Sequence, residues 1–311
     1  MNLTKKIFRR GVMYFPFFAC ITLLTFYPPW QEFILWNIGV QLLVFMCFAC
    51  VPAFITHRMS YVDIAWPWGL VAIGVLVLIL GDGYWPRKIL IAGMYLFSGL
   101  RMGVGALILW KKGHLDKELP RYQFQRKRWK KAGYLNDGFS IQFEIMIQCL
   151  ANMSFLSLPA LMLYQNTADK FSVIEVVAVV FYMLFVGLEH LADMQKQKFL
   201  RQARKNQLKR PVCRVGLWRY SRHPNYFFEW MVWNAMIFLT LPSLLQYFSV
   251  HDSVLWWAMG FALMYISRLM YNTLVYYTGA IPSEYYSVQK RPGYKVYQEQ
   301  TAMFFPSLPK E

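Results

Sequence analysis

The sequence predicts an all-α, polytopic integral membrane protein with seven or eight transmembrane helices. Three observations support this prediction. Hydrophobic residues make up 57% of the 311 residues, which is more apolar side chain than a soluble domain of this size can bury. Apolar runs long enough to cross a bilayer recur along the whole chain. The net charge of +17 comes from Lys and Arg that cluster in the segments between those runs, as is typical of membrane proteins.

Eight apolar runs account for the predicted helices. The first run follows a basic N-terminal segment and has no small-x-small cleavage site before Pro28, so we interpret it as a helix rather than a signal peptide. Turns at 57–58 and 81–83 separate the next three runs, and long basic loops occupy 111–140 and 195–222. The eight runs are 11–27, 34–56, 61–80, 89–110, 141–164, 171–193, 225–248 and 254–277.

The distribution of basic residues predicts the topology. With eight spans, the loops 111–140 and 195–222 and the C-terminal tail lie on the same side of the membrane as the basic N-terminus. The opposite loops near 164–171 and 249–253 contain almost no Lys or Arg. We therefore expect both termini to be cytoplasmic. The expected host membrane is a bacterial inner membrane or that of the endoplasmic reticulum. Seven spans are the alternative, in which one run is a half-helix or re-entrant.

Several function classes are disfavoured by the sequence. The basic composition does not indicate nucleic-acid binding, because no regular basic helix or zinc pattern accompanies it. The five histidines form no H-x-x-H or H-x-x-x-H cluster, so a di-iron enzyme is disfavoured and no metal site is predicted. Cys47 and Cys50 form a C-x-x-C pattern inside an apolar run, and we interpret them as packing residues.

The stretch 216–230 joins the second basic loop to an apolar run. Pro224 suits the first turn of a helix, and a helix that begins there places Asn225 and Glu229 on one face. An amide and a carboxylate side by side complement the carboxamide of a ligand. Alternatively, Glu229 pairs with Arg222 or Arg219 to fix the start of the helix. The neighbouring arginines, which could also hold phosphates, are Arg214, Arg219 and Arg222.

The pattern R-x-S-R-H-P-N-Y-x-x-E at 219–229 resembles the C-terminal signature of the steroid 5α-reductase-like membrane family. Tyr61 to Trp66 resembles the family's V-D-x-x-W element, and Ser98 to Arg101 resembles its W-G-L-R element. Leu188 to Gln195 resembles its E-x-x-A-D-x-Q stretch. The segment from Thr278 to Pro306 resembles the terminal G-x-x-x-x-E…Y-x-x-Y-x-x-x-T-x-x-x-x-P pattern.

This resemblance implies a fold, a reaction and a domain division. The implied fold is a set of helices around a membrane-embedded cavity. The implied reaction uses NADPH, bound from the cytosol, to transfer hydride to a carbon–carbon double bond conjugated to a carbonyl. A lipophilic, steroid- or lipid-like substrate and membrane lipids are the expected partners. The division is an N-terminal helical hairpin without a recognised motif, 1–59, followed by the family domain, 60–311.

The resemblance also implies the cofactor site. Asn225 and Glu229 would hold the nicotinamide end, Asp193 would belong to the cofactor shell, and Arg268 would face the phosphates. Relatives are often basic between Tyr297 and Thr301, where this chain has Glu299 and Gln300. Either Arg291 and Lys295 would take over the phosphate contact, or the tail would bind phosphate more weakly. The predicted cofactor-binding residues are Asp193, Arg214, Arg222, Asn225, Tyr226, Glu229, Arg268, Arg291 and Tyr297.

The predicted catalytic residues are Asp63, Tyr95 and Arg101, and Arg101 would lie beside the cavity. Ser98 stands where the family has Trp and where steroid reductases have the Tyr that acts on the substrate carbonyl, so the proton donor is open. Tyr95, one turn earlier, or Tyr61 would substitute. An apolar setting could keep Asp63 neutral, so that it donates a proton. The alternative for Asp63 is an ion pair, and the candidates for its partner are Arg101 and His57.

Two further functions compete with the reductase. A membrane methyltransferase that uses S-adenosylmethionine, of the isoprenylcysteine or phospholipid type, shares the R-H-P-x-Y signature. That group usually has two adjacent acidic residues, whereas Glu284 is followed here by Tyr285, which argues against it. A transporter or assembly factor would leave the arginine-rich asparagine motif unexplained. The cofactor that the protein retains would separate these functions.

Overall fold

A computed structural model of the protein describes residues 3–134, 136–250 and 254–310, and all regular secondary structure in these ranges is helical. The all-α prediction is therefore confirmed. Part of the predicted loop 249–253 lies outside the described residues. Within the described part of the chain, seven helical segments are long and apolar enough to cross a membrane: Pro28–Thr56, Met59–Leu80, Trp85–Lys111, Asp137–Tyr164, Val173–Lys205, Pro224–Phe248 and Val254–Lys290.

These seven segments correspond to the second to eighth predicted runs. The first run forms helix α1 (Leu3–Thr25), which is not among the seven. Its Arg10 is buried in protein, where it donates to Ser140 Oγ at 2.6 Å and lies 3.7 Å from the centre of the Tyr134 ring. The seven candidate spans agree with the lower of the two predicted counts, and the orientation of the termini stays a prediction.

The chain divides into two compact units. The first consists of Met1–Ser172 and Thr240–Tyr265, and the second of Val173–Leu239 and Ile266–Glu311. The predicted boundary between residues 59 and 60 stays a prediction. After α1, the helices of the first unit are α2 (Pro28–Phe45), α3 (Val51–Thr56), α4 (Val62–Leu80), α5 (Trp85–Lys111), α6 (Pro120–Lys131), α7 (Asp137–Met153) and α8 (Leu158–Tyr164), with a π-helical turn at Met46–Cys50 between α2 and α3.

The second unit is built around one long helix. This helix, α9, has 33 residues, or about 50 Å, so its C-terminal turns extend beyond a hydrocarbon core of about 30 Å. A loop then leads into α10, which continues into the first unit, and α11 returns to the second. The helices are α9 (Val173–Lys205), α10 (Pro224–Val250), α11 (Val254–Asn272), α12 (Ala280–Lys290) and α13 (Tyr294–Gln300).

A cluster of three buried amides joins the helices of the first unit. Gln41 Nε2 donates to Asn37 Oδ1 at 3.1 Å and to the Gly69 carbonyl at 2.9 Å. Asn152 Nδ2 donates to Gln41 Oε1 at 3.2 Å and to the Trp66 carbonyl at 3.1 Å. Polar groups at membrane depth are costly without partners, so these bonds tie α2, α4 and α7 together at one place.

The fourth candidate span is interrupted between α7 and α8. Residues 154–157 form a bend and a 3-10 turn instead of continuing the α-helix, which leaves backbone carbonyls without helical partners. Side chains take over these bonds: the Tyr95 hydroxyl donates to the Leu156 carbonyl, and Ser157 Oγ donates to the Ser154 carbonyl at 2.8 Å. The break is therefore held by the surrounding protein, as non-helical backbone at membrane depth requires.

The amide cluster predicts the effect of a methyl group at Gly69. A Cβ atom there would overlap the side-chain amides of Gln41 and Asn152, so Gly69→Ala should destabilise the protein by about 1–3 kcal/mol. A Cβ atom at Gly105 meets no atom within 4 Å, so Gly105→Ala is the matched control and should be neutral or stabilising by up to about 1 kcal/mol. Thermal unfolding in detergent measures both. Equal midpoints for the two variants would contradict the tight packing of the cluster.

The order of the spans predicts a labelling pattern that does not depend on α1. Two candidate spans separate Lys117 from Gln202, so cysteines at these exposed positions should be labelled from the same side of the membrane. A cysteine at exposed Thr167, between the two spans, should be labelled from the opposite side. The exposed native Cys47 must first be replaced. Labelling of Lys117 and Gln202 positions from opposite sides would exclude this order.

Candidate cofactor site

The loop that leads into α10 is positioned against α9. The buried Trp218 donates from Nε1 to the Ala192 carbonyl at 2.8 Å, and the Leu217 amide donates to Gln195 Oε1 at 2.8 Å. Gly216 has a φ of 55°, and a Cβ atom there would overlap the Gln195 side chain. Glycine is thus required at this position for its conformation and for its size. The contacts fix the point at which the R-x-S-R-H-P-N segment begins.

Arg222 forms the central ion pair of the site. Its Nε lies 2.7 Å from Glu284 Oε1 and its Nη2 lies 3.1 Å from Glu284 Oε2, and both side chains are about 9% exposed. Arg222 Nη1 also donates to the carbonyls of Gln298, at 2.9 Å, and Thr301. A bidentate, charge-assisted pair of this kind is among the stronger polar interactions in proteins. We refer to Arg222, Glu284, Gln298 and Thr301 as the clasp.

His223 extends the clasp to Tyr226 in the first turn of α10. Its Nε2 lies 3.1 Å from Glu284 Oε1, and its ring stacks on Tyr226 with the ring centres 5.4 Å apart. Burial lowers the pKa of His223 below its ordinary value, although the Glu284 carboxylate opposes this shift. The imidazole is therefore neutral near pH 7 and can donate one hydrogen bond to Glu284. Gln298 Nε2 donates a further bond to Glu284 Oε2 at 2.6 Å.

The C-terminal tail closes over the motif through backbone hydrogen bonds. The Arg222 amide donates to the Ala302 carbonyl at 2.9 Å, and Ser221 Oγ donates to the Phe304 carbonyl at 2.9 Å. The buried Tyr297 hydroxyl donates to the carbonyl of Trp218, and burial raises the pKa of Tyr297 above its ordinary value. The serine, arginine and tyrosine of the recognised patterns thus join two segments that are about 80 residues apart in the sequence.

Asn225 offers an acceptor to a ligand. Its Nδ2 donates to Asp193 Oδ1 at 3.1 Å. A carboxylate only accepts hydrogen bonds, so Asp193 fixes which end of the amide faces it. The other end, Asn225 Oδ1, is buried and accepts no hydrogen bond from any residue that the structure describes. Glu229 lies one turn further along α10 and is half-buried. The structure thus brings Asp193 to Asn225 and leaves one amide oxygen available.

The predicted phosphate-binding arginines have different surroundings. Arg222 belongs to the clasp, and Arg214 donates to Gln300 Oε1 at 2.8 Å and to the Gly293 carbonyl at 3.3 Å. Arg291 donates from Nη1 to Ser287 Oγ at 2.9 Å and lines a cavity, while Arg268 is exposed on α11. Three of the four therefore donate to protein acceptors, and for Arg222 and Arg214 these acceptors lie near the tail.

The three predicted catalytic residues belong to the first unit. Asp63 accepts hydrogen bonds from Arg121 Nη2 and from the Tyr122 hydroxyl, so Arg121 is its ion-pair partner rather than Arg101 or His57. Tyr95 is buried, and its hydroxyl donates to the Leu156 carbonyl in the interrupted span. Arg101 is half-buried on α5. The catalytic roles of Asp63, Tyr95 and Arg101 stay predictions.

The clasp predicts that the tail loosens when Glu284 is lost. Glu284→Ala leaves Arg222 buried without its carboxylate, which should cost about 3–5 kcal/mol and lower the thermal midpoint. Hydrogen exchange in residues 294–304 should become faster, because the tail is anchored through the same arginine. Glu299→Ala removes an exposed carboxylate from the same tail and is the control. Identical exchange rates in the two variants would contradict an anchoring role for Glu284.

Comparisons with known proteins place the chain in a family. The family model described as "Protein of unknown function (DUF1295)" matches residues 50–301, which include the clasp, Asp193 and Asn225. The Schizosaccharomyces pombe protein named "Uncharacterized protein C594.04c" is 24% identical over 273 residues, which cover 81% of this chain and 74% of that protein. No solved structure matches the chain significantly. Because the family model matches most of the chain, the protein belongs to the DUF1295 family.

Proposed function

We propose that the protein is an NADPH-dependent membrane reductase that transfers hydride to a carbon–carbon double bond conjugated to a carbonyl in a lipophilic substrate. The proposal starts from the resemblance of the 219–229 pattern to steroid 5α-reductase-like proteins. It is supported by the chemistry of the residues that the second unit brings together. The family match and the fold do not by themselves assign a reaction.

The observation that supports the proposal best is the buried Asn225 Oδ1. A buried carbonyl oxygen without a donor costs free energy, so a ligand N–H group that fills this position would gain affinity. The nicotinamide carboxamide has such an N–H group. Asp193 holds the Asn225 side chain in the required orientation, and Glu229 adds a second acceptor on the same face of α10. The residues present therefore fit the nicotinamide end of the cofactor.

The clasp supports this function through rigidity. Pro224 is the first residue of α10, and the bonds of Arg222 and His223 to Glu284 hold the chain immediately before it. Asn225 then has little freedom, which reduces the entropy that binding must cost. When bound, a dihydronicotinamide supplies hydride, and the protein residues orient it and exclude water. Arg268 and Arg291 remain the candidates for contact with the phosphates.

A groove in the first unit supports the lipophilic class of substrate. Its volume is about 770 Å³, and its lining from α2, α4 and α5 is apolar except for Glu32. A sterol or an acyl chain matches such a lining in size and in its lack of polar groups. The proton donor for the substrate carbonyl stays a prediction between Asp63 and Tyr95, both of which already have protein partners.

The methyltransferase alternative predicts a different retained cofactor. Glu284, the acidic residue in the relevant part of the chain, is engaged by Arg222, His223 and Gln298. That engagement favours a structural role for Glu284 over direct contact with S-adenosylmethionine. Protein purified in mild detergent should therefore show the absorbance and fluorescence of NADPH. Bound S-adenosylmethionine would overturn the reductase proposal.

The role of Asn225 predicts a selective loss of affinity. Asn225→Ala removes the acceptor and should weaken NADPH binding about tenfold or more, which corresponds to about 1.4 kcal/mol. Asn234→Ala is the matched control, because Asn234 is a half-buried amide on the same helix that donates to the Trp230 carbonyl at 2.7 Å. Titration of cofactor fluorescence measures affinity, and thermal unfolding of the same samples without cofactor measures stability. Unchanged affinity in folded Asn225→Ala protein would remove Asn225 from the cofactor site.

A further inference from the structure

A basic cavity lies between the C-terminal ends of α9 and α12 in the second unit. Its volume is about 250 Å³. Two leucines, Leu200 and Leu208, contribute apolar wall, and within the described part of the chain no acidic side chain lines it. The cations that line it are Arg204, Arg210, Lys290 and Arg291. The cavity thus combines apolar surface with four positive charges from separate segments of the chain.

Helix capping alone does not account for these cations. Cations near a helix C-terminus are favourable because they offset the helix dipole. Here, however, backbone bonds already close both helix ends: the Leu208 amide donates to the Ala203 carbonyl, and the Arg291 amide donates to the Ser287 carbonyl, each at 2.9 Å. Arg210 lies beyond α9 and has a φ of 55°, a conformation that costs non-glycine residues free energy and often marks functional sites.

The charges and the size define the ligand that the cavity suits. Four like charges around a small cavity repel one another, and a doubly charged anion would relieve that repulsion. Guanidinium groups match the geometry of phosphate oxygens, and among the described residues Arg291 donates from its side chain to Ser287 Oγ through one nitrogen, Nη1. The volume of about 250 Å³ is below the range of about 300–1,000 Å³ for drug-sized ligands, so the cavity can hold one end of a larger molecule.

We propose that this cavity binds a phosphate monoester carried by a larger, partly apolar molecule. Two sources share this chemistry. One is the 2′-phosphate of NADPH, and this source rests on the proposed function. The other is the headgroup of phosphatidic acid from the surrounding membrane, which does not. In either case the phosphate contact comes from Arg204 and Lys290 in addition to Arg291, and not from Arg222, which the clasp occupies.

The test compares two double variants of the full-length protein in mild detergent. Arg204→Gln with Lys290→Gln removes two charges from the cavity. Lys198→Gln with Lys205→Gln removes two charges from exposed positions on α9 that do not line it. Two probes are used. Binding of adenosine 2′,5′-bisphosphate is measured by calorimetry, and binding of phosphatidic acid is measured by native mass spectrometry. The affinity of the cavity variant for one probe should fall by about tenfold or more. The affinity of the control variant for the same probe should change by less than about threefold.

The outcomes separate the two sources and the two proposals. Selective loss of the bisphosphate identifies the nucleotide, and selective loss of phosphatidic acid identifies the lipid. The cavity proposal is overturned if the unmodified protein binds neither probe, or if both variants behave alike. NADPH is titrated on the same samples: equal NADPH binding by both variants would retain the reductase and exclude the nucleotide source. Absence of NADPH binding with cavity-dependent bisphosphate binding would retain the cavity and reject the reductase.

Discussion

The second unit depends on one buried ion pair, between Arg222 and Glu284. A buried charge is stable only when it is paired and its hydrogen bonds are satisfied. Here Arg222 also donates to the carbonyls of Gln298 and Thr301, and Glu284 also accepts from Gln298 Nε2. The same arginine precedes the start of α10 by two residues. The pair therefore links the geometry of the C-terminal tail to the position of Asn225, so that the tail helps to shape the candidate site without contributing a ligand group to it.

The first unit meets a similar constraint with neutral groups. Many of its buried polar side chains are amides and hydroxyls that bind one another or backbone carbonyls, as Gln41 and Tyr95 do, and its buried Arg10 and Arg87 also donate to neutral oxygen atoms. Neutral partners cost less to remove from water than charged ones, which suits a part of the chain made largely of membrane-spanning helices. The charged pair Asp63 and Arg121 lies instead at the start of α4, where α6 supplies the arginine and the side chains are partly exposed.

The sequence predicted the features that depend on local spacing. The run 61–80 became α4 at Val62–Leu80, and Pro224 begins α10 with Asn225 and Glu229 one turn apart. Features that depend on distant partners were missed. Glu284 is 62 residues from Arg222, so no local pattern indicated their pairing. The sequence suggested a local pairing of Glu229 with Arg222 or Arg219 instead. The interruption at 154–157 was also missed, although Pro159 follows it. A proline alone does not identify such a break, because Pro67 lies within α4 without ending it.

The clasp has a consequence for the order in which the protein matures during synthesis. Arg222 needs the carboxylate of Glu284 and carbonyls as late as Thr301, so it lacks these partners until residues 284–301 have left the ribosome. Until then, the preceding transmembrane helices can insert while the start of α10 is held by its contacts with α9 alone. The clasp can therefore assemble only after residue 301 has been synthesised, and a chain terminated before that residue would enter the membrane with its candidate site incompletely anchored.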